Sequence, residues 1–94
     1  SSQNKNVIIM LSMEGCSVCE YMKDIVFEDK KVEKLLNNFV LVELDVRADS
    51  IPENLKYFAT PTFYFLDSNE KILKRVNGGK NVVDFTKILK KMKK

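Results

Sequence analysis

The apolar residues of this chain change period several times, and each change predicts an element. Val7-Ile8-Ile9-Met10-Leu11 is an unbroken β-forming run, the pattern of a central strand covered on both faces. From Ser17 onward Cys19, Met22 and Val26 recur at helical spacing with Ile25 beside them, which predicts a helix. Asp29 is placed to cap a second helix with an apolar stripe of Val32, Leu35, Leu36 and Phe39. Between Val40 and Val46 the period drops to two. Val40, Val42, Leu44 and Val46 face one way and Leu41, Glu43 and Asp45 the other, which predicts an edge strand with one less buried face.

Ser50-Ile51-Pro52-Glu53 combines a capping residue, an early proline and a capping-box glutamate, predicting a short helix as far as Phe58. Thr62 to Leu66 is a second β-forming run, Asp67 to Glu70 a turn, and Lys71 to Val76 the returning strand of a hairpin. Gly78-Gly79 breaks the chain before a last amphipathic helix marked by Val82, Phe85, Leu89 and Met92. Ser1 to Asn6 is polar and is expected to be a flexible arm. The order β-α-α-β-α-β-β-α is an α/β arrangement, a parallel βαβ unit followed by a ββα unit.

Composition narrows the class. Residues 1–94 are expected to form one domain. With 45% hydrophobic and 31% charged residues the chain reads as ordinary globular protein, and its longest apolar run is far too short to cross a bilayer. The net charge of +3 owes much to Lys90, Lys91, Lys93 and Lys94. A lysine-rich helix end complements the helix dipole and stays solvated, and no arginines or aromatics interleave with it as nucleic-acid binding would require. The chain begins Ser1-Ser2 without methionine; a processed or trimmed form is expected, and a removed export signal is compatible with that.

The chemistry lies in Met13 to Met22, MEGCSVCEYM, which holds both cysteines of a chain without histidine. Structural zinc and iron–sulfur clusters call for more ligands than Cys16 and Cys19 supply, and Glu20 stands where haem attachment needs histidine. No metal or organic cofactor is expected. A permanent disulfide, two core cysteines and a reversible redox pair remain. A bond across two residues constrains the unfolded chain little, so the redox pair is the favoured reading. At a helix N-terminus Cys16 faces unpaired N–H groups that favour its thiolate, while Glu14 and Glu20 disfavour it and Lys23 partly offsets them. Cys16 is then the nucleophile, and Cys19, one turn on, attacks the resulting mixed disulfide. Val18 either helps form a docking surface or packs the helix.

The strand-to-CxxC-to-helix join and the later Ala59-Thr60-Pro61-Thr62 before a strand resemble the thioredoxin-like proteins, from about Asn6 to Lys91. VFEDKKVEKLLNNFVLVELDV is similar to a segment of their small bacterial thioredoxin-related branch. The resemblance implies a minimal thioredoxin-like fold, a four-stranded mixed sheet in the order 2-1-3-4 with helices on both faces. It implies that Pro61 follows a cis bond and faces the cysteines, and that the backbone of Thr60 pairs with an extended substrate. Thioredoxin differs in having tryptophan before the first cysteine, Gly-Pro between the two, and a buried aspartate where this chain has Met10. With that aspartate gone, Glu43 becomes a candidate proton acceptor for Cys19, as a half-buried carboxylate of raised pKa; a solvent-facing edge-strand glutamate is the competing reading. The implied activity is thiol–disulfide exchange on a protein or peptide disulfide, supplied with electrons by an upstream redox partner. The acidic flank favours the reducing direction over oxidation or isomerisation, and a non-catalytic peptide-binding module is the rival from another class. A monomer is expected, in the periplasm or otherwise exported, with the cytoplasm as the alternative.

Overall fold

The computed structural model describes residues 4–93. Strand β1 (Asn6–Ser12) lies in the middle of the sheet. Helix α1 (Ser17–Tyr21) runs on into a π-helical turn (Met22–Val26), closed by the Phe27 N–H donating to the Met22 carbonyl at 2.8 Å. Helix α2 (Lys30–Leu36) is capped by Asp29, whose carboxylate accepts from the N–H groups of Lys31 and Val32 at 2.9 and 3.2 Å. Strand β2 (Phe39–Asp45), the hairpin β3 (Thr62–Leu66) and β4 (Ile72–Asn77), and helix α3 (Val82–Met92) complete the order.

The strands run β2-β1-β3-β4, with β1 parallel to β2 and antiparallel to β3. The expected sheet order is the observed one, and β2 is at an edge. All five residues of β3 are buried, as a strand covered on both faces should be. On the first face Ile8, Met10, Phe39, Phe63, Phe65 and Val76 meet Cys19, Met22, Val26, Val32, Phe85 and Leu89 of the helical segments. The rings of Phe63 and Phe85 approach to 5.2 Å between centroids, with Phe27 at 5.8 Å from Phe85. On the second face Leu11, Leu55, Tyr64 and Leu66 form a smaller core, flanked by Val7, Ile9, Leu44, Val46, Ile51 and Ile72.

Phe39, expected on the stripe of the second helix, instead opens β2, and the exposed run Val40 to Glu43 at the sheet's edge does not show the alternation expected of that strand. Two further expectations change. The segment from Ser50 to Phe58 is turns and bends, not a helix, so irregular chain covers the second face and the core residues supplied by helices all lie on the first. Its physical reason is a thin apolar stripe. Leu55 is buried but Phe58 is 80% exposed, and so short a helix does not hold without a buried face. The Leu55 N–H donates to the Pro52 carbonyl at 3.0 Å, and the Tyr64 hydroxyl donates to the Lys56 carbonyl at 2.7 Å, fixing the turn instead. The second change is at Asn6, expected in the arm. It opens β1, is buried, and its side-chain amide donates to the Met92 carbonyl at 2.6 Å. Ser1 to Gln3 of the expected arm, and Lys94 of the lysine tail, lie outside the described residues.

The register decides where the site forms. Ser12 is level with Asp45, Leu11 with Thr62, and Thr62 with Asn77. One end of the sheet therefore gathers the carboxyl ends of β1, β2 and β4 and the start of β3. The segments just beyond these points are Met13 to Cys16, Thr60-Pro61 and Gly78 to Lys80.

Candidate redox site

Leaving β1, the chain turns through Gly15, whose φ of +82° favours glycine, and the Cys16 N–H donates to the Met13 carbonyl at 3.1 Å. Cys16 is the N-cap of α1. Its Sγ accepts the Cys19 backbone N–H at 3.1 Å, so a helix N–H already points at the sulfur. Cys16 and Cys19 are joined as a disulfide, with Cα atoms 5.3 Å apart. The two are not equivalent. Cys16 is half-buried, whereas Cys19 is 1% exposed and belongs to the first core.

The peptide bond from Thr60 to Pro61 is cis, and the Thr60 carbonyl oxygen lies 3.7 Å from the Cys16 sulfur. The turn is held locally by the Thr62 hydroxyl, which donates to the Ala59 carbonyl at 2.7 Å. It is held from outside by the Gly78 N–H, which donates to the Pro61 carbonyl at 2.8 Å. The structure thus brings Cys16, Cys19, Thr60 and Pro61 together. Val18 joins them in part: it is 43% exposed, and the rest of its side chain rests on Gly79.

Glu43 departs from its expected role. It is level with Met10 across the β1–β2 pair and shares a cavity of about 250 Å³ with Cys19, Ser12 and Lys23. Burial alone would raise its carboxyl. Hydrogen bonds from the Lys23 ammonium at 2.9 Å and the Ser12 hydroxyl at 2.7 Å, with the Lys23 charge, hold it below the ordinary 4.5 instead. The raised pKa expected of a proton acceptor is absent because a cation and a hydroxyl donor meet it there. Lys23 is raised above its ordinary 10.5 in turn, chiefly by the hydrogen bond to Glu43 and against the cost of burial, with the charges of Glu43, Glu20 and Asp24 adding to it.

A cavity of about 580 Å³ lies on the second face among Val7, Ile9, Val42 and Leu55, and neither cysteine lines it. It is remote from the chemistry and does not define the site. Among the described residues no three His, Cys, Asp or Glu side chains are placed to hold a metal ion, and no helix is long and apolar enough to cross a membrane. Sequence reasoning missed Gly78, Gly79 and Lys80. The Gly-Gly pair was visible, but only as a break between elements; nothing local showed that it returns to the cysteine helix.

A model of the thioredoxin-like domain matches residues 1–93. The chain is 30% identical over 91 residues to the thiol:disulfide interchange protein DsbD of Yersinia pestis (strain Pestoides F), covering 89% of this chain but only 15% of that protein. Its fold is similar to that of a thioredoxin from Thermus thermophilus, with a TM-score of 0.76 at 27% identity over 93% of this chain and 72% of that one. The periplasmic thioredoxin SoxS from Paracoccus pantotrophus has the same fold at 18% identity, with a TM-score of 0.74 and coverage of 94% and 95%. With its CxxC pair at the head of α1 and its cis proline beside it, this chain belongs to the thioredoxin-like domain family.

Proposed function

We propose that the domain is a protein thiol–disulfide oxidoreductase, acting mainly as a reductant or electron relay. The observation that carries this reading is the asymmetry of the pair: a half-exposed Cys16 at a helix N-terminus, bonded to a buried Cys19. In the reduced protein the Cys16 thiolate attacks one sulfur of a target disulfide. That S–S bond breaks, a Cys16–target disulfide forms, and the departing target thiolate takes a proton from water. Cys19 then loses its proton, attacks the Cys16 sulfur and expels the second target thiolate. The target gains two electrons and the pair becomes the disulfide, which an upstream dithiol must reduce again.

Thr60, Pro61 and Val18 form the docking edge, with the Thr60 backbone aligning an extended target segment beside Cys16. Glu43, held ionised by Lys23 and Ser12, is a weak base; water in the polar cavity beside Cys19 takes the proton, and Glu43 sets the field there. Three findings support the reading: the family, the DsbD relative named for thiol:disulfide interchange, and Glu14 and Glu20 flanking the pair. The reducing direction rests on that acidic flank, which leaves the dithiol less stabilised than in a strong oxidant. An exported or periplasmic setting is supported by the periplasmic thioredoxin that shares the fold.

Insulin reduction with Cys16→Ser as control tests the class. Turnover by the wild type, lost in the variant, is expected; no turnover despite accessible thiols would leave a binding module. The potential against a glutathione buffer tests direction, with a value near about −270 mV expected and one near about −120 mV reversing it.

A further inference from the structure

The segment Gly78 to Lys80 is tied to both sides of the redox site at once. Gly78 donates its N–H to the Pro61 carbonyl at 2.8 Å, and the Lys80 N–H reaches the Met22 sulfur at 3.4 Å. Between them Gly79 lies against helix α1. A Cβ built on Gly79 would stand 2.5 Å from Val18 Cγ1 and 3.7 Å from the Met22 sulfur. Its φ lies outside the left-handed region, so the backbone does not demand glycine at this position. The space does.

Val18 cannot easily make room. A valine in a helix strongly prefers one χ1 rotamer, and Met22, the second neighbour, is fully buried. An added methyl must therefore move either the head of α1 or the loop. The loop carries Pro61 with it through the Gly78 hydrogen bond, and α1 carries Cys16. Both movements change the one separation that matters for docking, between the Cys16 sulfur and the Thr60 carbonyl, now 3.7 Å.

We propose that Gly79 is a positioning residue for disulfide exchange: its missing side chain seats Val18 and sets the gap between Cys16 and the Thr60 edge. The inference rests on the oxidoreductase reading above and adds a residue to it. Its consequence is selective. A protein disulfide needs both the Cys16 sulfur and the Thr60 backbone in register, whereas a small disulfide needs only the sulfur.

The test compares kcat/KM for insulin and for dithiobis(nitrobenzoate) in the wild type, Gly79→Ala, Val18→Ala and the double variant. Gly79→Ala is expected to slow insulin reduction about tenfold relative to the small disulfide, the scale of loss that sub-ångström to ångström misplacement produces. In the Val18→Ala background, where Cγ1 is gone, adding Gly79→Ala should cost little, since coupled neighbours are non-additive. Equal slowing of both substrates, or the same loss in the Val18→Ala background, overturns the proposal. Should Gly79→Ala alone fail to fold, a folded double variant that behaves like Val18→Ala supports the seating, and an unfolded one refutes it. A wild type that reduces neither disulfide would refute the oxidoreductase reading itself, before any variant is compared.

Discussion

The two faces of the sheet are built on different terms. The first is packed by α1, α2 and α3 around Phe27, Phe63 and Phe85, and it takes in Cys19 as a core residue. The second is covered by irregular chain from Ile51 to Leu55 and keeps an open groove of about 580 Å³ beside β2. The chemistry sits at the end of the well-packed face. In the proposed exchange the resolving cysteine is held still while its partner stays reachable, and the helical face supplies the core that buries Cys19. The loop-covered face carries the turn before Pro61, while the hairpin serves both faces, with Phe63, Phe65 and Val76 on the first and Tyr64 and Leu66 on the second.

The sharpest way to break this comparison is to remove a ring from the first face. Phe63→Ala should cost about 3–5 kcal/mol, because a fully buried aromatic leaves both lost transfer energy and a cavity. Urea denaturation measures it, and a loss below that of any second-face truncation would sink the contrast. Leu55→Ala, the matching cut in the second face, should cost about 2 kcal/mol, the low end for leucine, because the irregular chain beside an open groove can relax.

The asymmetry of the two sulfurs follows from the same contrast. In the reduced protein iodoacetamide should modify Cys16 at least about tenfold faster than Cys19, since reactivity follows exposure and thiolate character. Mass spectrometry of early time points reads this directly, and equal rates would place Cys19 outside the rigid face.

The smallest effect belongs to Glu43 on the exposed edge. Its folded pKa lies below the ordinary value of 4.5, so its stabilising contribution is full above that value and lost as pH falls through the folded one. Lys23, raised above 10.5, contributes fully below that value and loses it as pH rises through its folded pKa. With side chains 40% and 42% exposed, the pair is screened, and Glu43→Gln should change stability at neutral pH by less than about 1 kcal/mol. The variant should also flatten the rise in stability as pH climbs from below the folded pKa of Glu43 toward the ordinary 4.5. A large change in the pH dependence of disulfide reduction would restore Glu43 as the proton acceptor.

Much of this could be read along the chain because it is local. The unbroken run Val7 to Leu11, the Asp29 cap and the Cys16–Cys19 spacing each express a period or a single-turn contact, and all appear in the structure. Strand β2 forms without its expected alternation, Val40 to Glu43 being exposed alike. Local signals misled where a cap was present without a face to bury: Ser50 to Glu53 reads as a helix start, yet Phe58 points to water and the turn wins. The sequence by itself determined the four strands and the helical segments other than the one misread at Ser50 to Phe58, the sheet order through a family likeness, and which two sulfurs lie one turn apart. Only the tertiary structure decided what surrounds them. Lys23 meets Glu43 across 20 residues, and Gly79 meets Val18 across a wider separation, because the register brings the ends of β1, β2 and β4 and the start of β3 to one end of the sheet. Contacts of that kind have no period for a sequence to display.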